Sequence, residues 1–587
     1  MEKDVREKIK ELDRSTALYA IGHLMENLKK KYRDNEKIIK YLKEVDKDII
    51  EQLDDFKSMD EKQASFMGIS LPMAAPSFTR YNINIIVDNS KLKGAPVISE
   101  TNPTYYNLFG AIEYRAQLGA MFTDFNMIKA GAIQRANGGY LILQAFDLLT
   151  SPFAWETLKR AIRSGEIRPE NMFEYYRPFP SSSIQPEPLP LHLKIVLIGN
   201  SFIYHLLYEL DEDFRRLFKV RADFDIEMKR DKAHLDRYAA FISTRCQEEK
   251  LKHFDPTGVA RIVDYGSREV DNKEKISTRF MEIAELISEA SFWAEKGGAK
   301  LVTAKEVDKA IEEKVYRSRM IEDKIEELIE NGTIMIDTDG VAVGQVNGLS
   351  IYQLGDYTFG KPSRITAVTQ VGRGGVLAIE REVKLSGPIH SKGVLILSGY
   401  LGMKFGSDKP LSISASLCFE QLYEEIEGDS ASSGELYALL SSLSNLPLDQ
   451  GIAVTGSVNQ YGKIQPIGGV NEKIEGFFTV CKARGLNGSQ GVIIPRQNVR
   501  NLMLNDEMVE AVRQNKFSIF AIEDIDEGLE ILTGKKAGRF LKGRYEKGSV
   551  YGLVDKKLHE FTRKMRTEGE KVKRSRRKKR KRRGQKK

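Results

Sequence analysis

A serine hydroxyl becomes a useful nucleophile only when a neighbouring base takes its proton, so a reactive serine has to be sought together with that base. Ser430 lies in Glu427-Gly428-Asp429-Ser430-Ala431-Ser432. Its small neighbours Gly428 and Ala431 leave room for a substrate backbone. Leu436, Leu439, Leu440 and Leu443 then recur at helical spacing, which puts Ser430 where a loop enters a helix. Free N–H groups at such an end, aided by the helix dipole, could hold an oxyanion. The same string also reads as an ordinary N-cap loop, because Ser and Asp are favoured caps.

Two residues could serve as the base. The chain has seven His, and in this region His390 is the one suited to a Ser/His/Asp triad. The alternative is Lys473, in Gly468-Gly469-Val470-Asn471-Glu472-Lys473-Ile474. The helix expected here has an apolar stripe of Val470, Ile474, Phe477, Phe478 and Cys481, and Lys473 sits at its edge. Burial would lower its proton affinity and supply the neutral amine that a Ser/Lys dyad needs. A lysine that packs its stem and keeps its ammonium in water fits the same pattern.

The elements that must position these residues follow from periodicity. Residues 1–75 read as two long amphipathic helices, a coiled-coil hairpin, with Leu12, Ala17, Ala20, Leu24 and Leu28 as one packing face. Residues 76–230 carry strand-like runs at Asn82–Val87, Tyr140–Leu143 and Leu193–Ile198, with helical stretches such as Ser151–Ser164 between them. That alternation predicts a parallel α/β layer. Residues 231–331 read as all-helical, with Ile283, Ile287, Ala290 and Trp293 on one face. Residues 332–534 read as a mixed α+β domain containing the serine and the lysine. Its expected hairpins turn at Gly372–Gly375 and at Asn459–Gly462. The fold class is therefore multidomain α/β.

The 587 residues carry a net charge of +8. The last 17 hold 13 Lys or Arg and no acid, and removing those charges leaves −5 for the rest. Residues 535–587 are therefore expected to form a basic, largely disordered tail, and 571–587 could contact nucleic acid through phosphates, without base stacking. The cysteines Cys246, Cys418 and Cys481 are widely spaced, and no His/Cys/Asp cluster has ligand spacing, so neither a disulfide framework nor a metal site is expected. No run approaches the ~20 apolar residues of a membrane span. The start is charged from its second residue, unlike a secretory signal. A cytoplasmic location with no membrane contact is expected.

EGDSAS followed by TGSVNQYGKIQPIGGVNEKIEGFF resembles the proteolytic domain of the Lon family, in its archaeal-type and Lon-like branches. That family pairs a Ser in G-x-S-A with a Lys in PIGG-x-x-x-K. The resemblance makes Ser430 the nucleophile and Lys473, 43 residues on, its base. It gives Thr455 the role of contacting and orienting the lysine, and it makes Asp429 an acid that holds an inactive geometry until substrate binds. SGPIHSKG (386–393) matches too, and its His is not the family's base.

Residues 76–320 resemble the AAA+ module that precedes this domain. In that reading GAIQRANGGYLILQAFDLL is the Walker B region, Asn200 a sensor-1 residue, Arg215 an arginine finger, Arg279 a sensor-2 arginine and Leu108-Phe109-Gly110 a pore loop. No G-x-x-x-x-G-K-[ST] loop occurs, and Gln144-Ala145 stands where Walker B has its acid. The resemblance thus implies an ATP-independent serine endopeptidase, in a homohexameric ring, that degrades unfolded polypeptides with no required cofactor. Two alternatives stay open: a catalytically idle ring acting as a holdase or nucleic-acid-associated scaffold, and a protease subunit that needs a separate P-loop chain.

Overall fold

The structure, a computed structural model, describes residues 2–56, 63–66, 69–72, 78–117, 120–169, 184–407 and 409–584. The chain divides into two compact units, 1–222 and 223–587.

In the first unit, helices α1 (Glu2–Lys31) and α2 (Glu36–Glu51) pair, joined by an ion pair between Lys29 and Asp46. Asn35 caps α2 by accepting the Ile38 N–H at 3.2 Å. Two helices can cover only one seam. Met25 and Leu42 are buried, whereas Leu12, Leu24 and Leu28 of the expected packing face stay exposed. Short paired strands, Gln63–Phe66 and Ile69–Pro72, occupy part of the stretch expected to be helical.

Three strands, β1 (Val97–Glu100), β2 (Tyr140–Gln144) and β3 (Lys194–Ile198), form the parallel layer in the order β3-β2-β1. Helices α3 (Ala154–Ser164) and α4 (Ser201–Leu210) accompany them, and Leu141, Leu143, Trp155 and Leu158 lie in the core. Asn82–Val87 is not a strand. It is held by a side chain instead of a ladder, the Asn84 amide donating to the Phe125 and Ile128 carbonyls. The pore-loop reading of 108–110 also fails, because Leu108 and Phe109 are wholly buried in the core of this unit.

The second unit opens with helices α5 (Lys232–Glu248), α6 (Pro256–Arg268), α7 (Phe280–Lys296), α8 (Ala304–Ser318) and α9 (Met320–Glu330). Ile262, Ile283, Ile287, Ala290 and Val307 form a core shared by α6, α7 and α8. A seven-stranded mixed sheet follows. It comprises β4 (Gln345–Leu354), β5 (Tyr357–Val371), β6 (Gly375–Ala378), β7 (Ile413–Phe419), β8 (Ile452–Val454), β11 (Gly491–Pro495) and β12 (Ser518–Ile522), in the order β6-β7-β5-β4-β8-β11-β12. The short hairpin β9 (Ser457–Val458) and β10 (Ile464–Gln465) stands apart from it and turns where expected. Among the helices packed around this sheet are α10 (Pro388–Phe405), α11 (Ser432–Ser444), α12 (Val470–Arg484) and α13 (Val550–Gly584).

Two expectations are corrected here. Gly372–Gly375 does not close a hairpin. β7 inserts beside β5 in antiparallel register, and β6 pairs in parallel with the far edge of β7. Nor does the folded part end near residue 534. Val550, Tyr551, Val554, Leu558 and Phe561 of α13 recur at helical spacing and are buried in the main core with Leu436, Tyr437 and Leu440. The Tyr551 hydroxyl bonds that of Tyr400 at 2.8 Å and also reaches Asp526. The backbone of α13 is helical to Gly584, residues 585–587 lie outside the described residues, and so do all side chains of the basic run 571–587.

Candidate active site

Two helices and one strand end bring the serine and the lysine together. Leu436, Leu439, Leu440 and Leu443 bury α11 in the core, and this fixes the loop in front of it. Ser430 lies two residues before α11 and is only partly buried. Gly428 has φ +90°, a left-handed conformation suited to glycine, which turns the chain into the loop that carries Ser430. The end of β8 then pins that loop. The Gly456 N–H donates to the Ser430 carbonyl at 2.7 Å, and the Thr455 hydroxyl approaches the same carbonyl at 3.4 Å. The Ser432 hydroxyl accepts the Val458 N–H at 3.0 Å.

Lys473 sits in the first turn of α12, whose stripe of Val470, Ile474, Phe477, Phe478 and Cys481 is buried as the sequence predicts. Its side chain is only 3% exposed, so the alternative with its head in water does not hold. Its Nζ lies 2.9 Å from Ser430 Oγ. Burial pulls the lysine down to about 8, against the opposing pull of the Asp429 and Glu472 carboxylates.

Backbone contact sets the depth of α12. A Cβ on Gly360 of β5 would lie 2.0 Å from the Glu472 carbonyl oxygen, and one on Gly476 would lie 2.1 Å from the Gly360 carbonyl oxygen. Gly360→Ala is therefore expected to push away the turn that carries Lys473. Overpacking of this kind costs about 1–3 kcal/mol, and a shift of about 1 Å in a catalytic group costs about a hundredfold in turnover. Denaturant midpoints and cleavage rates of the variant check this, and parental values in both would refute it.

Two further details correct the sequence reading. The Thr455 hydroxyl bonds the Ser430 backbone, not the lysine. The Ser432 N–H donates to Asp429 O at 3.0 Å and the Ser433 N–H to Gly456 O at 3.1 Å, so neither amide is free to hold an oxyanion. Asp429 does not pair directly with the amine. Its Oδ2 accepts the Ser457 hydroxyl at 2.7 Å, an anchor that sequence reasoning missed although Ser457 stands in the same TGSV run as Thr455. Ala431 precedes α11 and is buried.

His390 is not paired with Ser430. Its Nδ1 lies 2.8 Å from Ser386 Oγ and its Nε2 3.3 Å from Glu435 Oε1. Burial alone would lower its proton affinity, but the hydrogen bond and charge of Glu435, with Glu380 and Glu427, raise it. The SGPIH segment instead braces the irregular segment that leads to Ser430. Gly387 N–H donates to Ile426 O at 2.9 Å, and Ile389 N–H to Glu427 Oε1 at 3.1 Å.

The residues matched to a nucleotide site have other occupations. Asn200 caps α4, its Oδ1 accepting the Ile203 N–H at 2.9 Å. Arg215 donates to the Tyr208 carbonyl at 2.7 Å and stacks on that ring at 4.1 Å. In the second unit, Arg279 precedes α7 and faces Glu282 at 3.8 Å. Gln144 ends β2, exposed. Among the described residues no group of His, Cys, Asp and Glu could hold a metal ion, and no helix is long and apolar enough to cross a membrane.

A serine and a buried lysine within hydrogen-bond reach, on a mixed sheet that follows an α/β layer and a helical segment, define a peptidase-like architecture, and sequence comparison gives it a family. Residues 93–225 match the LonB-like AAA domain, 253–317 the archaeal LonB AAA+ ATPase lid domain, and 425–534 the Lon protease (S16) C-terminal proteolytic domain. A Lon protease homolog of Haemophilus influenzae is 35% identical over 440 residues, covering 73% of this chain and 70% of that protein. An Escherichia coli Lon protease homolog is 33% identical over 429 residues, covering 71% of each. The archaeal Lon protease of Archaeoglobus fulgidus is 25% identical over 469 residues, covering 78% of this chain and 71% of that protein. The chain belongs to the Lon protease family.

Proposed function

We propose that this peptidase is a serine endopeptidase in which Ser430 is the nucleophile and Lys473 the general base. The observation that carries this reading is the 2.9 Å separation of a buried, easily deprotonated Lys473 amine from the Ser430 hydroxyl. The neutral amine takes the hydroxyl proton as Oγ attacks the scissile carbonyl. The resulting ammonium returns the proton to the leaving amine, and an acyl-enzyme remains. Lys473 then draws a proton from the water that attacks the acyl group and returns it to Ser430 Oγ as the acid leaves, which restores the neutral amine. Gly428 and Ala431 leave the approach to the hydroxyl open, Gly456 and Thr455 fix the serine backbone, and Ser457 holds Asp429 beside the pair.

Residues at the nucleotide-site positions fit a magnesium nucleotide poorly. Gln144 supplies no carboxylate, and Asn200 and Arg215 are committed to local contacts. Cleavage is accordingly assigned to unfolded polypeptides and to a reaction without ATP hydrolysis by this chain, in a homohexameric ring in the cytoplasm. The composition of 571–587 supports weak contact with nucleic acid phosphates.

The test is cleavage of casein, with and without ATP, by the parent and by Ser430→Ala. Equal cleavage in both conditions, lost in the variant, is the expected result. Cleavage only with ATP would remove the ATP-independent part, and cleavage by Ser430→Ala would remove the nucleophile.

A further inference from the structure

Beyond the dyad, one side chain ties the helical segment before the sheet to the helix that carries the base. Arg268 is the last residue of α6, which the lid match covers. It forks across the first turn of α12. Nη1 donates to Glu475 Oε1 at 2.7 Å and to the Met503 carbonyl at 2.7 Å, and Nη2 donates to Glu475 Oε2 at 2.7 Å and to Glu472 Oε1 at 3.1 Å. Glu472 and Glu475 bracket Lys473 in sequence. A second strand of contacts runs beside the first. The fully buried Asn471 amide donates to Asp271 Oδ1 at 2.8 Å and to Asn501 O, and the Asn501 amide donates to Asp271 O at 2.7 Å.

We propose that Arg268 is a positioning residue for proteolysis, fastening the helical lid to the base-bearing turn and offsetting the carboxylate charge that Lys473 faces. The proposal rests on the Ser430/Lys473 reading. A bidentate guanidinium–carboxylate pair fixes orientation as well as charge, which a lysine in its place could not do. The charges around the lysine can be followed outward. Asp429 of the nucleophile loop and Glu472 of its own helix bear on it directly. Glu472 in turn faces Arg268 and Asp271 from the lid side and Glu475 from α12. Glu475 bears on Glu322 of α9, and the Gly360 backbone of β5 lies against this turn. Burial pushes the Glu472 carboxyl up, and Arg268 pulls it back toward the ionised form. As long as Glu472 stays ionised, a lid displacement that withdrew Arg268 leaves its carboxylate uncompensated beside the lysine and favours the ammonium.

The test is the rate at which a fluorophosphonate probe labels Ser430 in the full chain, followed against pH. This reports the neutral fraction of the base without a polypeptide substrate. Arg268→Ala is expected to move the midpoint of the ascending limb up by about one pH unit. Glu472→Gln is expected to move it down, and the double variant to return toward the parent. Arg268→Lys keeps the charge and loses the fork, so its midpoint stays near the parent's while its plateau rate falls. A midpoint in Arg268→Ala equal to the parent's, in protein shown to be folded by circular dichroism, would overturn the proposal. If that variant does not fold, an unmoved midpoint in Glu472→Gln overturns it instead. Labelling of Lys473→Ala at the parental rate would defeat the dyad itself. Labelling that needs Lys473 but ignores Arg268 and Glu472 defeats only the clamp.

Discussion

Replacing Lys473 with alanine is expected to reduce casein cleavage about 10²–10⁴-fold, the range for loss of a positioned general base. Fold stability should be little affected, because a buried amine held near 8 contributes little as a charged group. The parent's pH profile belongs to the same prediction. The base must be neutral, so cleavage is scarce at pH 6, where the ammonium dominates, rises through about 8 and levels above it. Lys473→Arg should be as inactive as the alanine variant at every accessible pH, since guanidinium does not deprotonate there. A flat profile between pH 6 and 9, or an alanine variant within tenfold of the parent, would rule out Lys473 as the base.

The second large effect concerns the C-terminal helix. A stop after residue 549 removes Val550, Tyr551, Val554, Leu558 and Phe561, all buried in the main core. At about 1.5–3 kcal/mol for each large apolar side chain, their burial amounts to about 10 kcal/mol. That is the scale of a whole domain's stability. It also leaves the Tyr400 hydroxyl and Asp526 without their tyrosine partner. This truncation is expected to yield aggregated or protease-sensitive protein with no cleavage activity. A stop after residue 567 keeps the five side chains and should melt and cleave like the parent. Thermal melts and casein assays of the two truncations decide it: if the shorter protein melted like the parent, α13 would be dispensable.

The contrast between those truncations shows where the sequence could be read and where it misled. The meeting of serine and lysine was legible because both lie beside short strings of Gly and small residues, 43 positions apart. The parallel layer was legible because Tyr140–Leu143 and Leu193–Ile198 are short apolar runs separated by helical stretches, even though Tyr140, Val196 and Ile198 stay exposed on one face. The helix that begins at Val550 was hidden because the terminal arginines and lysines dominate the composition of everything after residue 534. The Gly372–Gly375 turn was misread because a hairpin signal is local, whereas the strand that takes the neighbouring place, β7, arrives some forty residues later. Leu108-Phe109 carried no mark to separate a pore loop from a core filler. Arg268 could not be found at all, since its partners lie over 200 positions away.

The contact between Gly360 and the turn holding Lys473 also constrains anyone who would redesign this protein. Backbone touches backbone there, so that side of the Lys473 turn has no side chain to shorten, lengthen or recharge. Libraries meant to change cleavage preference would gain nothing by diversifying residue 360 or 476. Residues 429 and 430 offer no freer choice, since Ser430 meets the amine, Asp429 bears on its charge, and Ser457 of β9 holds Asp429 in place.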